Sequence, residues 1–288
     1  MALQQTLRGI LWMFVYAAVI SVMHATVRLV GEGMHPFEVA FFRNLFGLVP
    51  LIPWFIKYGS GPLKTGRIGL LAVRGAMNTV CMLAFFSAMT IGPLVDAVAL
   101  SFTAPIFATF MAMFIFADKV GPRRWIAIGF AFAGVMVILR PGFVEIGVGQ
   151  TLALAASVGW ALCLVMVRDL GRTESAVTIT AYMSIMMAPL SLPFAIWVWQ
   201  WPSAEQWGWL VLVGIAGGLG QFAMSQAFRL APNHVLAPVD FTRLLFVSAL
   251  AYLIFGDVPD EMVVIGGAMI LGATAFITYR EYQTRRKA

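Results

Sequence analysis

The sequence predicts an all-α integral membrane protein, with ten transmembrane helices arranged as two inverted five-helix repeats. Three observations predict it. Hydrophobic residues make up 61% of the chain and charged residues 11%, against about 25% charged in a soluble domain. The apolar stretches run unbroken for about 15 to 25 residues, the length that crosses a hydrocarbon layer of about 30 Å as a helix. The second half of the chain also matches the first at a fixed shift of 139 residues.

The ten stretches follow one another with short connections. The first, 8–29, contains an apolar run longer than a signal-peptide core and has no A-x-A cleavage pattern, so it is expected to stay as a span. The second, 36–56, opens on Pro36 and closes before Lys57, and Gly59-Ser60-Gly61-Pro62 leads to the third, 67–90. Gly92-Pro93 separates the third from the fourth, 93–116, and Gly121-Pro122 precedes the fifth, 124–140. The fifth is short for a span, but Arg123, Arg124 and Arg140 can extend their heads to both interfaces. Pro141-Gly142 leads to the sixth and seventh, 148–168 and 176–199. The eighth, 206–229, ends at Ala231-Pro232, and the ninth and tenth span 234–255 and 262–280.

Orientation follows from the retention of Lys and Arg on the cytoplasmic side of short loops. With both termini cytoplasmic, only Arg28 and Arg140 fall at outer ends. Arg43, Arg74 and Arg243 fall within spans, and the rest of the 19 basic residues sit at cytoplasmic ends. The expected location is a bacterial-type inner membrane, with the lipid bilayer as a standing partner.

At the shift of 139, Ala88 pairs with Ala227, Pro93 with Pro232, Phe102-Thr103 with Phe241-Thr242, Phe116 with Phe255 and Asp118 with Asp257. The shared Pro, Phe-Thr and Phe-x-Asp are harder to obtain by chance between two membrane helices than the apolar matches. The repeats are placed at 1–141 and 142–288. Five spans per unit force the copies into opposite orientations, the architecture of secondary transporters that bind solute near the midplane.

The residues Ser87-Ala88-Met89-Thr90-Ile91-Gly92-Pro93, then Ser101-Phe102-Thr103-Ala104-Pro105, Phe116-Ala117-Asp118-Lys119 and the Gly129 to Gly134 helix resemble the EamA-type unit of the drug/metabolite transporter superfamily. The unit recurs as Ser225-Gln226-Ala227-Phe228-Arg229-Leu230-Ala231-Pro232 through Phe255-Gly256-Asp257. The resemblance covers nearly the whole chain. Asp118 and Asp257 stand where the family usually has Glu, a departure at a loop. The resemblance implies a ten-helix secondary carrier, and aromatic-rich carriers similar to this chain include amino-acid exporters of the YddG type. Amino acids as cargo come from the resemblance alone.

Charged groups at the bilayer centre cost about 2.5–3.5 kcal/mol on insertion scales, so they face a cavity or a partner. Asp240 and Arg243, one turn apart in the ninth stretch, can meet a zwitterion's ammonium and carboxylate or pair internally. Arg43, beside Asn44, can bind a carboxylate bidentately or snorkel to the outer interface; the resemblance raises it, since an Arg in this helix is common in such units. Arg74 is expected to reach the headgroups. Asn78, Gln221 and Gln226 can bond a solute or join helices. His24 and Asp240 are candidates for proton coupling, against an interhelical bond for His24. Trp160 and Tyr182 lie away from the interfacial belts and can form an aromatic wall or fill a core. Asp96 is expected to be hydrated near the outer interface. Gly214, Gly217, Gly218 and Gly220 permit close helix approach or bending.

The net charge of +6 sits in short clusters between spans, which argues against nucleic acid as a partner. Cys81 and Cys163 lie inside apolar stretches without ligand spacing, and no metal or cofactor is expected. The chain carries no HExxH, GxSxG or P-loop, which argues against an enzyme. The polar residues are too sparse to line a channel. The expected function is export of small organic metabolites, amino acids of the aromatic or neutral kind first, by alternating access. Efflux of drugs or quaternary-ammonium cations is the alternative.

Overall fold

The computed structural model describes residues 2–52, 56, 59, 65–115, 122–140, 146–174, 176–231, 236, 239–240, 242–258 and 260–287. Among these, every regular element is helical. In chain order they are α1 (Ala2–Gly31), α2 (Pro36–Phe46), α3 (Ile68–Ile91), α4 (Leu94–Ser101), α5 (Ala104–Ile115), α6 (Pro122–Leu139), α7 (Val148–Leu170), α8 (Ala176–Trp197), α9 (Ala204–Leu230), α10 (Thr242–Phe255) and α11 (Glu261–Lys287). With α4 and α5 as two halves of the fourth they make ten helical spans, and five of these are by length and composition long and apolar enough on their own to cross a membrane. Lys57, Ser60-Gly61-Pro62, Phe116-Ala117-Asp118-Lys119, Gly121, Pro141-Gly142, Pro232 and Phe241, on which predicted connections, the repeat or the resemblance rest, lie outside the described residues.

Two spans differ from the straight helices expected. The second is helical from Pro36 to Phe46, turns at Gly47 and Leu48, and continues as a 3-10 turn over Val49–Leu51. Pro50 has no N–H to give to Phe46 and disfavours helical backbone at Val49. The fourth breaks at Phe102 and Thr103, because the ring of Pro105 collides with the carbonyl of Ser101, four residues earlier, and leaves it without a donor. The carbonyl of Leu100 in this break accepts from the Thr103 hydroxyl at 2.6 Å and from the Ser157 hydroxyl of α7 at 3.0 Å. Broken backbone at membrane depth is tolerated where such donors serve it. At the repeat-related position, the Thr242 hydroxyl donates to the carbonyl of Val239 at 2.8 Å, the same three-residue bond in the same register.

Helix neighbours obey the repeat. Exchanging the first five spans for the second five turns the α1 and α9 contact into that of α7 and α3. It likewise turns α2 with α9 into α8 with α3, and α5 with α7 into α10 with α1. The pairs α2 with α8, α4 with α10 and α6 with α11 map onto themselves. This is the contact pattern of a pseudo-two-fold axis, and five spans per unit make the two repeats opposite in direction.

Small residues let the backbones approach. A Cβ on Gly214 of α9 would sit 2.2 Å from Phe46 Cβ, one on Gly218 would sit 2.6 Å from Pro50 Cγ, and one on Gly220 would sit 2.5 Å from Ile20 Cδ1. The glycine stripe of α9 is therefore the seat of α1 and the second span. Between α6 and α11, a Cβ on Gly134 would lie 2.7 Å from the Gly266 carbonyl oxygen, and one on Gly266 would lie 2.5 Å from that of Gly134. Large apolar side chains such as Phe114, Ile126, Trp197 and Leu253 point outward, as a lipid-facing belt requires.

Polar groups tie the repeats together at both ends of the bundle. On the face that holds the termini, Arg67 Nη2 bonds Asp169 at 2.5 Å and the Thr65 hydroxyl donates to Glu174 at 2.7 Å. On the opposite face, Arg28 pairs with Asp257, Arg140 pairs with Asp260, and Gln150 donates to Asp96 at 2.9 Å. The Arg140 guanidinium, bonded to the Asp260 carboxylate, holds that carboxyl below its usual range. Apart from Arg28, these side chains line a cleft of about 230 Å³, so Asp96 has a protein partner beyond solvent. Both side chains of the Arg67 and Asp169 pair are about a third exposed, at 34% and 35%, and exposed pairs contribute about 0–1 kcal/mol. Arg67→Ala is therefore expected to leave thermal unfolding in detergent within a few degrees of the parent; a collapse of the folded state would mean this end is held by that pair.

Candidate solute site

Three charged side chains lie around α1, which contacts α2, α9 and α10: Arg43 on the side of α9, and the Asp240 and Arg243 pair at the start of α10. Arg43 leaves α2 toward α9 and lies against Gly217; a Cβ there would be 2.8 Å from Arg43 Nε and 3.2 Å from Met23 Sδ of α1. The snorkelling course open to Arg43 in the sequence is not the one taken. Its Nη1 donates to Asn44 Oδ1 at 3.1 Å, and Asn44 Nδ2 donates to the Met187 carbonyl at 3.3 Å and to the Ser191 hydroxyl at 3.2 Å, both on α8. Asn44 is 3% exposed, so its amide is a fixed brace between α8 and the guanidinium.

Arg243 enters from the first turn of α10, and Asp240 precedes it by one turn. Arg243 Nε is 3.8 Å from Asp240 Oδ1, within ion-pair reach and beyond hydrogen-bonding distance. The guanidinium carbon lies 4.5 Å above the centroid of the Phe102 ring, at the break between α4 and α5. The Ser21 hydroxyl of α1 donates to the Arg243 carbonyl at 3.2 Å. Among the described residues, Arg43 Nε, Arg243 Nε, Asp240 Oδ1 and His24 Nδ1 are buried atoms without a hydrogen-bond partner. Buried donors and acceptors in this state are costly to leave unmade, about 1–3 kcal/mol each and more when charged; outside this group Glu38 Oε2, Arg74 Nε and Arg140 Nε share it.

Aromatic groups flank the charges. His24 meets the Phe85 ring edge-on at 5.5 Å between centroids, and Phe85 meets Trp160 of α7 at 5.0 Å. Trp160 thus reaches the charged group through Phe85 and His24. Tyr16, two turns before His24 on α1, lies within electrostatic reach of Arg43, Asp240 and Arg243, and His24 lies within reach of Arg43 and Arg243. Gln221 follows Gly217 by four residues and shares the face of α9 that meets Arg43.

The remaining candidates are held by α8, and Asn78 shares Met187 with Asn44. Asn78 donates to Met187 Sδ at 3.2 Å, which joins α3 to α8. Arg74, expected at the headgroups, donates to the Ile179 carbonyl in the first turn of α8 at 3.2 Å and to Met183 Sδ at 3.4 Å. Tyr182 packs on Leu71, Leu170 and Ile179, beside the Arg67 and Asp169 pair rather than in the central group. Cys81 and Cys163 are both free and buried.

Two residues escaped sequence reasoning. Tyr16 is recoverable from the spacing of Tyr16, Ile20 and His24, which marks one helical stripe facing α9. Glu38 reads in sequence as a favourable acid in a first helical turn, yet its side chain is fully buried. It accepts from the Gln200 backbone N–H at 2.6 Å, tying α2 to the segment after α8.

The EamA-like transporter family matches this chain twice, over residues 7–140 and 147–279. The S-adenosylmethionine uptake transporter of Rickettsia prowazekii is 30% identical over 280 residues, covering 97% of this chain and 95% of that protein. The riboflavin transporter of Vibrio cholerae is 28% identical over 287 residues, covering 98% and 96%. The pseudopaline exporter CntI of Pseudomonas aeruginosa is 24% identical over 268 residues, covering 92% and 94%. A solved crystal structure superposes with a TM-score of 0.63 at 18% identity, covering 96% of each chain, and shares the fold.

Proposed function

The chain belongs to the EamA-like transporter family, and from that premise we propose that it is a secondary carrier of small carboxylate-bearing organic metabolites, aromatic or neutral amino acids first. The two repeats, 1–141 and 142–288, move against each other around the central group. The membrane is a bacterial inner membrane, both termini are cytoplasmic, and the physiological direction is export. Orientation rests on the distribution of Lys and Arg.

One observation supports the reading: Arg43 and the Asp240 and Arg243 pair, all within electrostatic reach of Tyr16, carry unserved polar atoms inside the bundle. A guanidinium takes a carboxylate and a carboxylate takes an ammonium, so an amino acid supplies partners for both. The names of the relatives support a metabolite of this chemistry. S-adenosylmethionine carries an amino-acid headgroup and a planar base, whereas riboflavin, a planar ring without carboxylate or ammonium, supports only the aromatic part of the reading. The relatives include both an uptake carrier and an exporter, so direction belongs in the test. Quaternary-ammonium efflux is disfavoured by the Arg243 guanidinium beside Asp240.

The test is flux in proteoliposomes loaded on either side with labelled phenylalanine, leucine, S-adenosylmethionine, riboflavin or a quaternary-ammonium dye. Saturable flux of the amino acids is expected, outward from the termini side. Flux of S-adenosylmethionine or riboflavin without amino acids replaces the cargo, and flux of the dye alone overturns the reading in favour of drug efflux.

A further inference from the structure

We propose that Phe102 is a positioning residue for cargo: its ring holds the Arg243 guanidinium off Asp240 and so keeps that carboxylate open to the ammonium of an amino acid. The inference rests on the reading that Asp240 takes the ammonium. Arg243 and Asp240 are one turn apart, and a charge-assisted bond between such groups closes to about 2.7–2.9 Å. Here Arg243 Nε stands 3.8 Å from Asp240 Oδ1, and neither atom has a hydrogen-bond partner. The guanidinium carbon lies instead 4.5 Å above the centroid of the Phe102 ring. A cation there is attracted by the negative face of the ring quadrupole, most firmly where water is excluded. Phe102 is 4% exposed, so water does not compete at that face. The Asp240 side chain is the more open of the pair, at 26% against 13% for Arg243, which leaves a side that an ammonium can reach.

Ring and guanidinium are both fixed from behind. Phe102 sits in the break that Pro105 forces between α4 and α5. Its N–H donates to the Ala99 carbonyl at 3.3 Å, and the adjoining Leu100 carbonyl accepts from the Thr103 and Ser157 hydroxyls. The Arg243 carbonyl accepts from the Ser21 hydroxyl of α1, and the Thr242 hydroxyl bonds the Val239 carbonyl at the start of α10. With both backbones held, side-chain torsions alone decide whether the guanidinium lies on the ring or on the carboxylate. On the carboxylate it would take the acceptors that an ammonium needs. The repeats divide the arrangement between them: at the shift of 139, Ser101 and Ala104 stand where the second repeat has Asp240 and Arg243. The first repeat therefore brings the ring without the charges, and the second brings the charges. A leucine at 102 keeps apolar bulk in the break but offers no π face to a cation, which frees Arg243 to close on Asp240.

The experiment measures phenylalanine binding to the purified full-length protein by calorimetry, with thermal unfolding and a monodisperse elution profile qualifying each variant as folded. Phe102→Leu is expected to weaken binding by about tenfold. Phe102→Tyr, which keeps the face, is expected to stay within about threefold of the parent. The readout that a packing role would not move is the same leucine substitution made in Arg243→Gln. With no guanidinium to hold, it is expected to add less than about twofold there. If Phe102→Leu does not fold, Phe102→Met takes its place, with the same losses expected. The inference is overturned if Phe102→Leu binds like the parent, if Phe102→Tyr falls as far as Phe102→Leu, or if the loss is equal with and without Arg243. Binding that falls in Asp240→Asn but not in Phe102→Leu overturns the inference and leaves the cargo reading standing. Absence of phenylalanine binding by the parent, or no change in Asp240→Asn, overturns the reading of Asp240 and the inference with it.

Discussion

Arg43→Ala is expected to lower amino-acid transport by about 30- to 1000-fold, the factor that corresponds to the 2–4 kcal/mol lost on removing one partner of a buried, hydrogen-bonded charge pair. Stability should move little, because Arg43 Nε has no partner in the folded protein and its desolvation opposes folding. The two effects thus separate a binding residue from a structural one. Arg43→Lys should recover only part of the loss, since an ammonium is a point donor without the planar fork that takes a carboxylate bidentately. Flux in proteoliposomes and thermal unfolding of the same preparations check both halves. A variant that transports like the parent removes Arg43 from the site, and one that aggregates on purification makes it a packing residue.

Gly266→Val should be the most damaging single change to the fold. The backbones of α6 and α11 approach so closely that a Cβ on Gly266 would stand 2.5 Å from the Gly134 carbonyl oxygen and 2.6 Å from Ile138 Cγ1. A carbonyl oxygen cannot swing aside as a side-chain tip can, so the helices must separate. This is the pair that joins the fifth and tenth spans across the repeat axis, and overpacking of this kind costs about 1–3 kcal/mol or more. Gly129→Ala on α6 is the control, because nothing lies within 4 Å of a Cβ there, and it should unfold at or slightly above the parent's temperature. Loss of a folded elution peak for Gly266→Val beside a parent-like Gly129→Ala is the expected result. Equal stability of the two would mean that the interface of α6 and α11 is looser than described.

The spans and the repeat were legible because the bilayer enforces them. Apolar runs of spanning length have few other readings, and a paired Phe-Thr in register marks a structure that recurs, down to the hydroxyl bonds of Thr103 and Thr242. Pro105 stood in the sequence as the reason for the break at Phe102 and Thr103, but an apolar run looks continuous when only its length is read. In the site, charge at depth was the legible signal. It led to Asp240 and Arg243, which pair, to Arg43, which lies against α9, and to Arg74, which lies against α8. Depth along one helix does not say which neighbour that helix faces, so the sequence does not show that Tyr182 packs beside the Arg67 and Asp169 pair. Tyr16 was passed over because a tyrosine within an apolar helix carries no charge to attract notice.

The most direct measurement is counterflow of labelled phenylalanine into proteoliposomes preloaded with unlabelled phenylalanine, run on the parent and on Arg43→Ala in parallel. Transient accumulation above equilibrium by the parent and its absence in a folded Arg43→Ala is the result predicted for a carrier that holds its cargo's carboxylate at Arg43. No accumulation by the parent, or the same accumulation by both, would contradict it.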